Sequence, residues 1–317
     1  MRAIQIEEFG GPEVMQVTEL ADPVPSKGHS VVEVTLAGVN YADTHQTEDS
    51  YLYTQTLPMI PGGEVVGMVD GRRVVAILTN GGYAERVAVP TSSLIDVPEG
   101  VSDAQALSLL VQGLTAWHLL RTSTHMAVGE SVLVHAAAGG VGTLAVQLAK
   151  RWGAGRVIAT ASSAKKRQLA LDLGADVAID ASSSTLKDDI EAANGGRKVD
   201  VVLEMTGGLV TDHSLAALAP FGRLAIFGMA SREAPTPVDM GALMGRSRGV
   251  IGFWLVHCFA HAPRMIVAPL QELFGLVASG ELRPVTGPSY PLAEAPQAHI
   301  DLLERRTTGK VTLDVRA

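Results

Sequence analysis

The segment Val132-Leu133-Val134-His135-Ala136-Ala137-Ala138-Gly139-Gly140-Val141-Gly142 constrains this chain more than any other. Its first residues form an apolar run of the kind found in a fully buried parallel strand. After the glycines, Val141, Leu144, Ala145 and Leu148 recur at i, i+3, i+4 and i+7, one packing face of a helix. Strand, glycine turn and helix in that order are the context in which such a turn holds a dinucleotide pyrophosphate. Gly139 and Gly140 are expected to let the backbone turn sharply and approach the anion, with Ala138 and Val141 beside them. Gly142 is expected to let the helix pack close to the strand. The N–H groups and positive end of that helix favour a phosphate.

The residue that reads the coenzyme ribose is expected about 20 residues further on, at the end of the next strand. Counting from Gly142 reaches Ser162, and residues 157–168 contain no Asp or Glu. The segment reads Thr160-Ala161-Ser162-Ser163-Ala164-Lys165-Lys166-Arg167. An acidic residue binds a ribose 2′-hydroxyl and repels a 2′-phosphate; hydroxyls and lysines do the opposite. A Ser cap followed by a solvated basic turn is the simpler alternative. However, cations are disfavoured at a helix N-terminus, so the pattern predicts NADPH rather than NADH.

Two styles of sequence flank each other. Across residues 1–98, short β-prone stretches alternate with Gly and Pro: Ile4-Gln5-Ile6, residues 14–17, Val31-Val32-Glu33-Val34. Residues 65–69 and 73–77 flank Asp70-Gly71, a hairpin signal. A small barrel or sandwich is expected there. From residue 102 strands and helices alternate, with a helix over residues 165–173 closed by Gly174. That alternation predicts right-handed βαβ units and a parallel sheet. Residues 311–315 return to strand character and are expected to rejoin the first part, making the α/β region an insertion.

Composition narrows the function classes. Of 317 residues, 47% are hydrophobic and 18% charged, and 25 basic against 33 acidic side chains give a net charge of −8. Such a balance argues against nucleic-acid or anionic-membrane partners. Cys258 is the single cysteine, which excludes intrachain disulfides and Cys-rich zinc sites. No apolar run reaches the roughly 18 residues of a membrane span, and the first residues lack a signal-peptide pattern. A cytoplasmic location is the resulting expectation.

Residues 136–142 resemble the Ala-x-x-Gly-Gly-Val-Gly signature of quinone oxidoreductases, the zeta-crystallin-like, zinc-free branch of the medium-chain dehydrogenase/reductases. Further matches run along the chain: residues 38–43 (Gly-Val-Asn-Tyr-Ala-Asp), 61–67 (Pro-Gly-Gly-Glu-Val-Val-Gly), 113–117, 173–176, 222–224, 252–255 and 308–311. The resemblance implies a Rossmann doubly wound parallel sheet (residues 122–255) inserted in a GroES-like β-barrel domain (residues 1–121 plus 256–317). It also implies NADPH bound in the cleft and a homodimer. By position, Ser162 and Lys166 are implied 2′-phosphate ligands, and Phe227, Gly228, Phe253, Trp254 and Leu255 are implied to lie along the nicotinamide. Lys310 joins the coenzyme-binding positions, and Asn40 and Asp43 are implied near nicotinamide and substrate. Two departures stand out. Ala181 occupies the position of a Tyr that many relatives place near the 2′-phosphate, and residues 45–53 lack the usual Gly-Leu-Tyr-Pro.

The zinc alcohol dehydrogenases of the superfamily hold catalytic zinc with Cys, a Gly-His-Glu motif and a second Cys or Asp. Here Gly38-Val39-Asn40 replaces the Cys region, and no His precedes Glu64. The chain runs straight on after Gly82, where a four-Cys lobe would fall. Without a Lewis acid, alkoxide chemistry is disfavoured, whereas a quinone or an α,β-unsaturated carbonyl spreads the incoming charge onto an oxygen that hydrogen bonds stabilise. Tyr51 and Tyr53, two residues apart, both align with the family Tyr and are the candidate proton donors, with Tyr41 nearby. Asp43 either orients a partner or caps the adjacent helix; His45 and Cys258 read as structural. Three functions follow: NADPH-dependent reduction of a quinone or enone, enoyl reduction of a polyketide-like or acyl-thioester intermediate, or NADPH binding without catalysis.

Overall fold

The computed structural model describes residues 1–317, which divide into two compact units, Met1–Val111 with Leu270–Ala317, and Gln112–Pro269. In chain order the elements are β1 (Arg2–Gln5), β2 (Gln16–Glu19), β3 (His29–Val39), α1 (Tyr41–Thr47), β4 (Glu64–Val69), β5 (Arg72–Ile77), β6 (Arg86–Pro90) and β7 (Ile95–Asp96). Then come α2 (Asp103–Leu107), α3 (Leu114–His118), β8 (Ser131–Val134), α4 (Gly140–Arg151), β9 (Arg156–Ala161), α5 (Ala164–Asp172), β10 (Val177–Asp180) and α6 (Leu186–Ala193). The remainder are β11 (Val199–Glu204), α7 (Gly208–Ala216), β12 (Leu218–Ile226), α8 (Met240–Met244), β13 (Gly249–Gly252), α9 (Ala268–Ala278), β14 (Thr286–Pro291), α10 (Ala295–Leu303) and β15 (Lys310–Asp314). No helix is long and apolar enough to cross a membrane.

In the first unit the strands run β14-β15-β3-β4-β5-β7, with β6 beside the first half of β3. The expected hairpin is present: β4 and β5 pair from Glu64↔Ile77 to Val69↔Arg72. Asp70 and Gly71, both at positive φ (49° and 77°), form the turn, the backbone a two-residue hairpin needs. The chain end also returns as expected, since β15 pairs antiparallel with β3 from Val311↔Val39 to Asp314↔Leu36. Residues 14–17 depart from expectation. Pro12–Val14 form a 3₁₀ turn and strand pairing begins only at Gln16, because Pro12 suits the first helical position and the Glu13 carboxylate accepts from Gly11 N (2.9 Å). Ile4, Val32, Val34, Val65 and Val74 fill the core together with Leu292, Ala295 and Ala298 from the α10 region.

The second unit holds one sheet of six strands in the order β10-β9-β8-β11-β12-β13, every neighbouring pair parallel. Counted within the unit, that order is 3-2-1-4-5-6, the doubly wound arrangement whose crevice lies at the carboxyl ends of the central strands. All four residues of β8 are buried, as a strand covered on both faces requires. Helix α4 packs through Leu144, Ala145 and Leu148, each at most 1% exposed. A Cβ on Gly142 would lie 2.4 Å from Ala136 O and 2.6 Å from Ala137 Cα, backbone that cannot yield cheaply. We expect Gly142→Ala to lower stability by about 1–3 kcal/mol, read as an earlier midpoint in urea unfolding with unchanged slope.

Candidate functional site

The glycine turn joins β8 to α4. Its one left-handed residue is Ala136, at φ 48°, whereas Gly139 is extended, at φ −80° and ψ 177°. The sharp turn therefore falls at Ala136 rather than at the two glycines to which the sequence assigned it. Gly139 N donates to Ala136 O (2.8 Å) and Ala137 N to Thr160 O (3.0 Å), which bind the turn to β9. The first N–H of α4 with an intrahelical acceptor is that of Thr143, which bonds Gly139 O (2.9 Å). Gly140, Val141 and Gly142 therefore keep N–H groups with no intrahelical acceptor, in the place where a pyrophosphate is expected. Ala138 is buried beside them, 3% exposed.

Two buried residues that the sequence did not single out hold the strand ends behind this turn. His135 lies between Thr160 Oγ1 (3.0 Å) and Ser214 Oγ (2.8 Å). Ser214 donates its own proton to Val210 O (2.7 Å), so His135 donates from Nε2 and accepts at Nδ1; burial lowers its pKa and keeps it neutral. Glu204, fully buried at the end of β11, accepts from Thr206 N (2.6 Å) and Thr211 Oγ1 (2.7 Å) and so ties the strand end to the loop before α7 and to its first turn. An acid within an apolar strand, followed by Gly207-Gly208, was the available signal.

At the end of β9, Ser162 is exposed and Ser163 caps α5, its Oγ accepting from Lys166 N (3.3 Å). Lys166 is half-buried, and Arg167 turns away to Asp180 (2.8 Å) at the end of β10. That pairing neutralises the carboxylate nearest this end of the sheet, and Asp180 is held below the usual carboxylate range chiefly by hydrogen bonds from Ser182. Ser162 thus stands just before the cap of α5, and Lys166 in its first turn. Further along, Phe227 N donates to Glu204 O (3.0 Å), with Gly228 next to it. Phe253 stacks on His118 at 5.7 Å between ring centres, Trp254 meets His257 edge-on, and Leu255 is buried.

In the first unit the candidate residues form a connected polar core. Lys310 and Glu64 are 1% and 0% exposed and make a buried ion pair. Lys310 also donates to Asn40 Oδ1 (3.0 Å) and Val39 O (3.3 Å). Asn40 Nδ2 donates to Glu64 Oε1 (2.7 Å), and Glu64 Oε2 accepts from Val111 N (3.1 Å). The Lys310 ammonium is therefore engaged within its own unit. Asn40 stands at the start of α1, where Asp43 Oδ2 accepts from its backbone N (2.8 Å), so Asp43 does cap the helix. The same oxygen accepts from Tyr83 Oη (2.9 Å), and Tyr83 Oη lies 3.0 Å from His299 Nε2. With the tyrosine proton given to Asp43, Nε2 of His299 carries the proton, leaving Nδ1 buried without a partner. Tyr83 and His299 were invisible in sequence because 216 residues separate them.

Beyond Asp43 lies a group of rings: Tyr41 and His45 at 5.6 Å, His45 and Tyr51 at 6.4 Å, Tyr51 and Tyr53 at 5.4 Å. Tyr53 Oη accepts from Gln46 Nε2 (3.0 Å), and burial raises its pKa. Both candidate tyrosines are half-buried, so exposure does not choose between them. No three His, Cys, Asp or Glu side chains are grouped to hold a metal ion. Cys258 is 2% exposed, its thiol pushed up by burial.

Comparison with known proteins follows the same division. Residues 26–99 match the family model of the alcohol dehydrogenase GroES-like domain and residues 140–268 that of the zinc-binding dehydrogenase. The quinone oxidoreductase of Pseudomonas aeruginosa is 34% identical, over 98% of this chain and 99% of that protein. The chain belongs to the quinone oxidoreductase family. Among solved structures, this quinone oxidoreductase family member superposes on the quinone oxidoreductase of Thermus thermophilus, solved alone and with NADPH, with a TM-score of 0.87 and 39% identity over 99% of this chain and 100% of the other. The Escherichia coli quinone oxidoreductase complexed with NADPH gives a TM-score of 0.91 and 31% identity over 99% and 100% of the two chains.

Two measurements test the polar core. Lys310→Met leaves Glu64 buried and uncompensated and is expected to cost about 3–5 kcal/mol; adding Glu64→Gln should recover much of it, as a double-mutant cycle in urea will show. The second is pH dependence. Burial pushes the Asp43 carboxyl up to about 6 and pulls the His299 imidazole down to about 4. Asp43, raised on folding, stabilises at low pH and loses that contribution as pH climbs through about 6. His299, depressed on folding, stabilises at neutral pH and loses its contribution as pH falls through about 4. The two oppose each other across one window. Asp43→Asn should therefore make stability rise from pH 4.5 to 6.5, and His299→Gln should make it fall, each by about 2 kcal/mol.

Proposed function

We propose that this protein is an NADPH-dependent reductase that delivers hydride to a quinone or an α,β-unsaturated carbonyl. The chemistry at the end of β9 supports the choice of coenzyme. No carboxylate stands where a ribose 2′-hydroxyl reader would be, Arg167 neutralises Asp180, and Ser162 precedes the cap of α5 while Lys166 lies in its first turn. The N–H groups of Gly140, Val141 and Gly142 receive the pyrophosphate, Ser162 and Lys166 the 2′-phosphate. Phe227, Gly228, Phe253, Trp254 and Leu255 line the nicotinamide. In this reading the Gln112–Pro269 unit is the coenzyme domain and the GroES-like unit carries the acceptor. The similarity to quinone oxidoreductases solved with NADPH points the same way.

NADPH supplies the hydride. The protein's part is orientation and charge stabilisation. Glu64, which a Gly-His-Glu motif would place beside zinc, is here taken by Lys310 and Asn40, and this donor set favours a conjugated acceptor. Asn40, held at both ends of its amide, presents a rigid polar group at the start of α1. The rings of Tyr41, Tyr51 and Tyr53 offer faces and edges to a planar acceptor, and the hydroxyl of Tyr51 or Tyr53 meets the developing oxyanion. Strand β13 ends the parallel sheet, and the neighbouring Met240, Met244 and Phe221 are 75%, 80% and 76% exposed. An open edge with apolar neighbours favours pairing with a second copy, so the proposal includes a homodimer.

NADPH oxidation followed with quinones, alkenals and enoyl thioesters tests the acceptor. Turnover confined to enoyl thioesters selects the enoyl reductase, and NADPH binding with no turnover on any acceptor overturns catalysis. For the coenzyme, Lys166→Glu and Ser162→Asp should each raise KM for NADPH at least tenfold while changing KM for NADH little; equal losses for both coenzymes would remove the phosphate assignment.

A further inference from the structure

The amino-terminal edge of the parallel sheet carries a second concavity, at the opposite strand ends from the glycine turn. Its volume is about 530 Å³, and Ser131, Arg156, Asn194, Arg197 and Asp200 are among its walls. Ligand crevices of open α/β sheets lie at the carboxyl ends, so the coenzyme reading does not account for the polar groups gathered here.

Two buried atoms on this wall lack partners. Asn194, 2% exposed, ends α6 and donates from Nδ2 to Lys198 O (2.8 Å) and Ser131 Oγ (3.3 Å). Lys198 O can only accept, which fixes the amide's orientation and leaves Oδ1 buried with no donor. Arg156 opens β9 in register with Ser131, so the two side chains share a face of the sheet. Its Nε is buried with no acceptor. Asp200 Oδ2 accepts from Ser131 N (2.8 Å) and Oγ (2.7 Å), neutral donors that fix the carboxylate and leave its charge on the wall. Lys198 is drawn to Glu191 (3.5 Å) and Ala216 O. Arg197 is exposed and has no carboxylate partner. Its place just beyond the C-terminus of α6 suits the helix dipole, but that explains neither Arg156 nor Asn194.

Each unpaired buried group is costly to leave so. Water could serve the unpaired atoms, but Arg156, Arg197 and Lys198 share this wall with a single carboxylate, Asp200, so water would leave a net positive charge there. An occupant that fits must accept from guanidinium groups and donate to an amide oxygen. Sulfate and carboxylates only accept; a phosphate that keeps a P–OH, or carries a hydroxylated ester group, does both. We propose that the concavity binds a phosphoryl group, free or on a small polyol, through Arg156, Arg197 and Asn194.

Isothermal titration calorimetry on the protein saturated with NADPH, which keeps the coenzyme's own phosphate site filled, tests this at pH 8 and constant ionic strength. The probes are inorganic phosphate, glycerol phosphate and sulfate. Phosphate or glycerol phosphate is expected to bind at least tenfold more tightly than sulfate, and the tighter of the two identifies the free or the esterified source. Arg197→Ala and Arg156→Gln should each weaken that binding about tenfold, and Arg197→Ala should leave quinone turnover unchanged. Sulfate binding as tightly, binding that survives both substitutions, or no heat from any probe would overturn the proposal.

Discussion

The GroES-like unit is organised around the buried ion pair of Lys310 and Glu64. Two opposite charges withdrawn from water are tolerable only when each also finds hydrogen bonds, and both do. Lys310 reaches Val39 O and Asn40, and Glu64 reaches Asn40 and Val111 N. Because Lys310 opens the last strand and Glu64 opens β4, the pair ties the end of the chain across β3 to its early hairpin. It also immobilises Asn40, from which α1 and the tyrosine cluster start. The acceptor-facing chemistry proposed for this family member thus rests on a charge pair that itself meets no acceptor.

The network continues from Asn40 to Asp43, Tyr83 and His299. Burial pushes the acid and the base in opposite directions, so near neutral pH a carboxylate is held by one tyrosine proton and one backbone N–H beside a neutral imidazole. A single helix cap is in this way anchored to α10, distant in sequence. The Rossmann unit solves a different problem. Its sheet is covered on both faces, so polar work is pushed to the strand ends. His135 and Glu204 brace the carboxyl ends behind the glycine turn, and Asn194, Arg156 and Asp200 gather at the amino ends.

Much of this was legible beforehand. The β8–α4 motif, the Asp70-Gly71 hairpin, the helix stop at Gly174 and the return of the last strand are local or periodic signals, and each lies where the residues indicate. Departures came where a local hydrogen bond or a bond to a neighbouring strand outweighed the apolar or glycine pattern. Pro12 and Glu13 turned an apolar stretch into a 3₁₀ turn. The left-handed residue of the glycine turn is Ala136, which accepts from Gly139 N within the turn while Ala137 N bonds Thr160 O of the next strand.

Residue type and spacing over short stretches were enough to set the order of strands and helices, the glycine turn between β8 and α4 and the acid-free end of the second Rossmann strand. Three pairings needed the folded chain: Lys310 with Glu64, Arg167 with Asp180, and Asp43 with Tyr83 and, through it, His299. Partner choice among buried polar groups depends on which strands and helices pack together, and chain spacing carries no record of that.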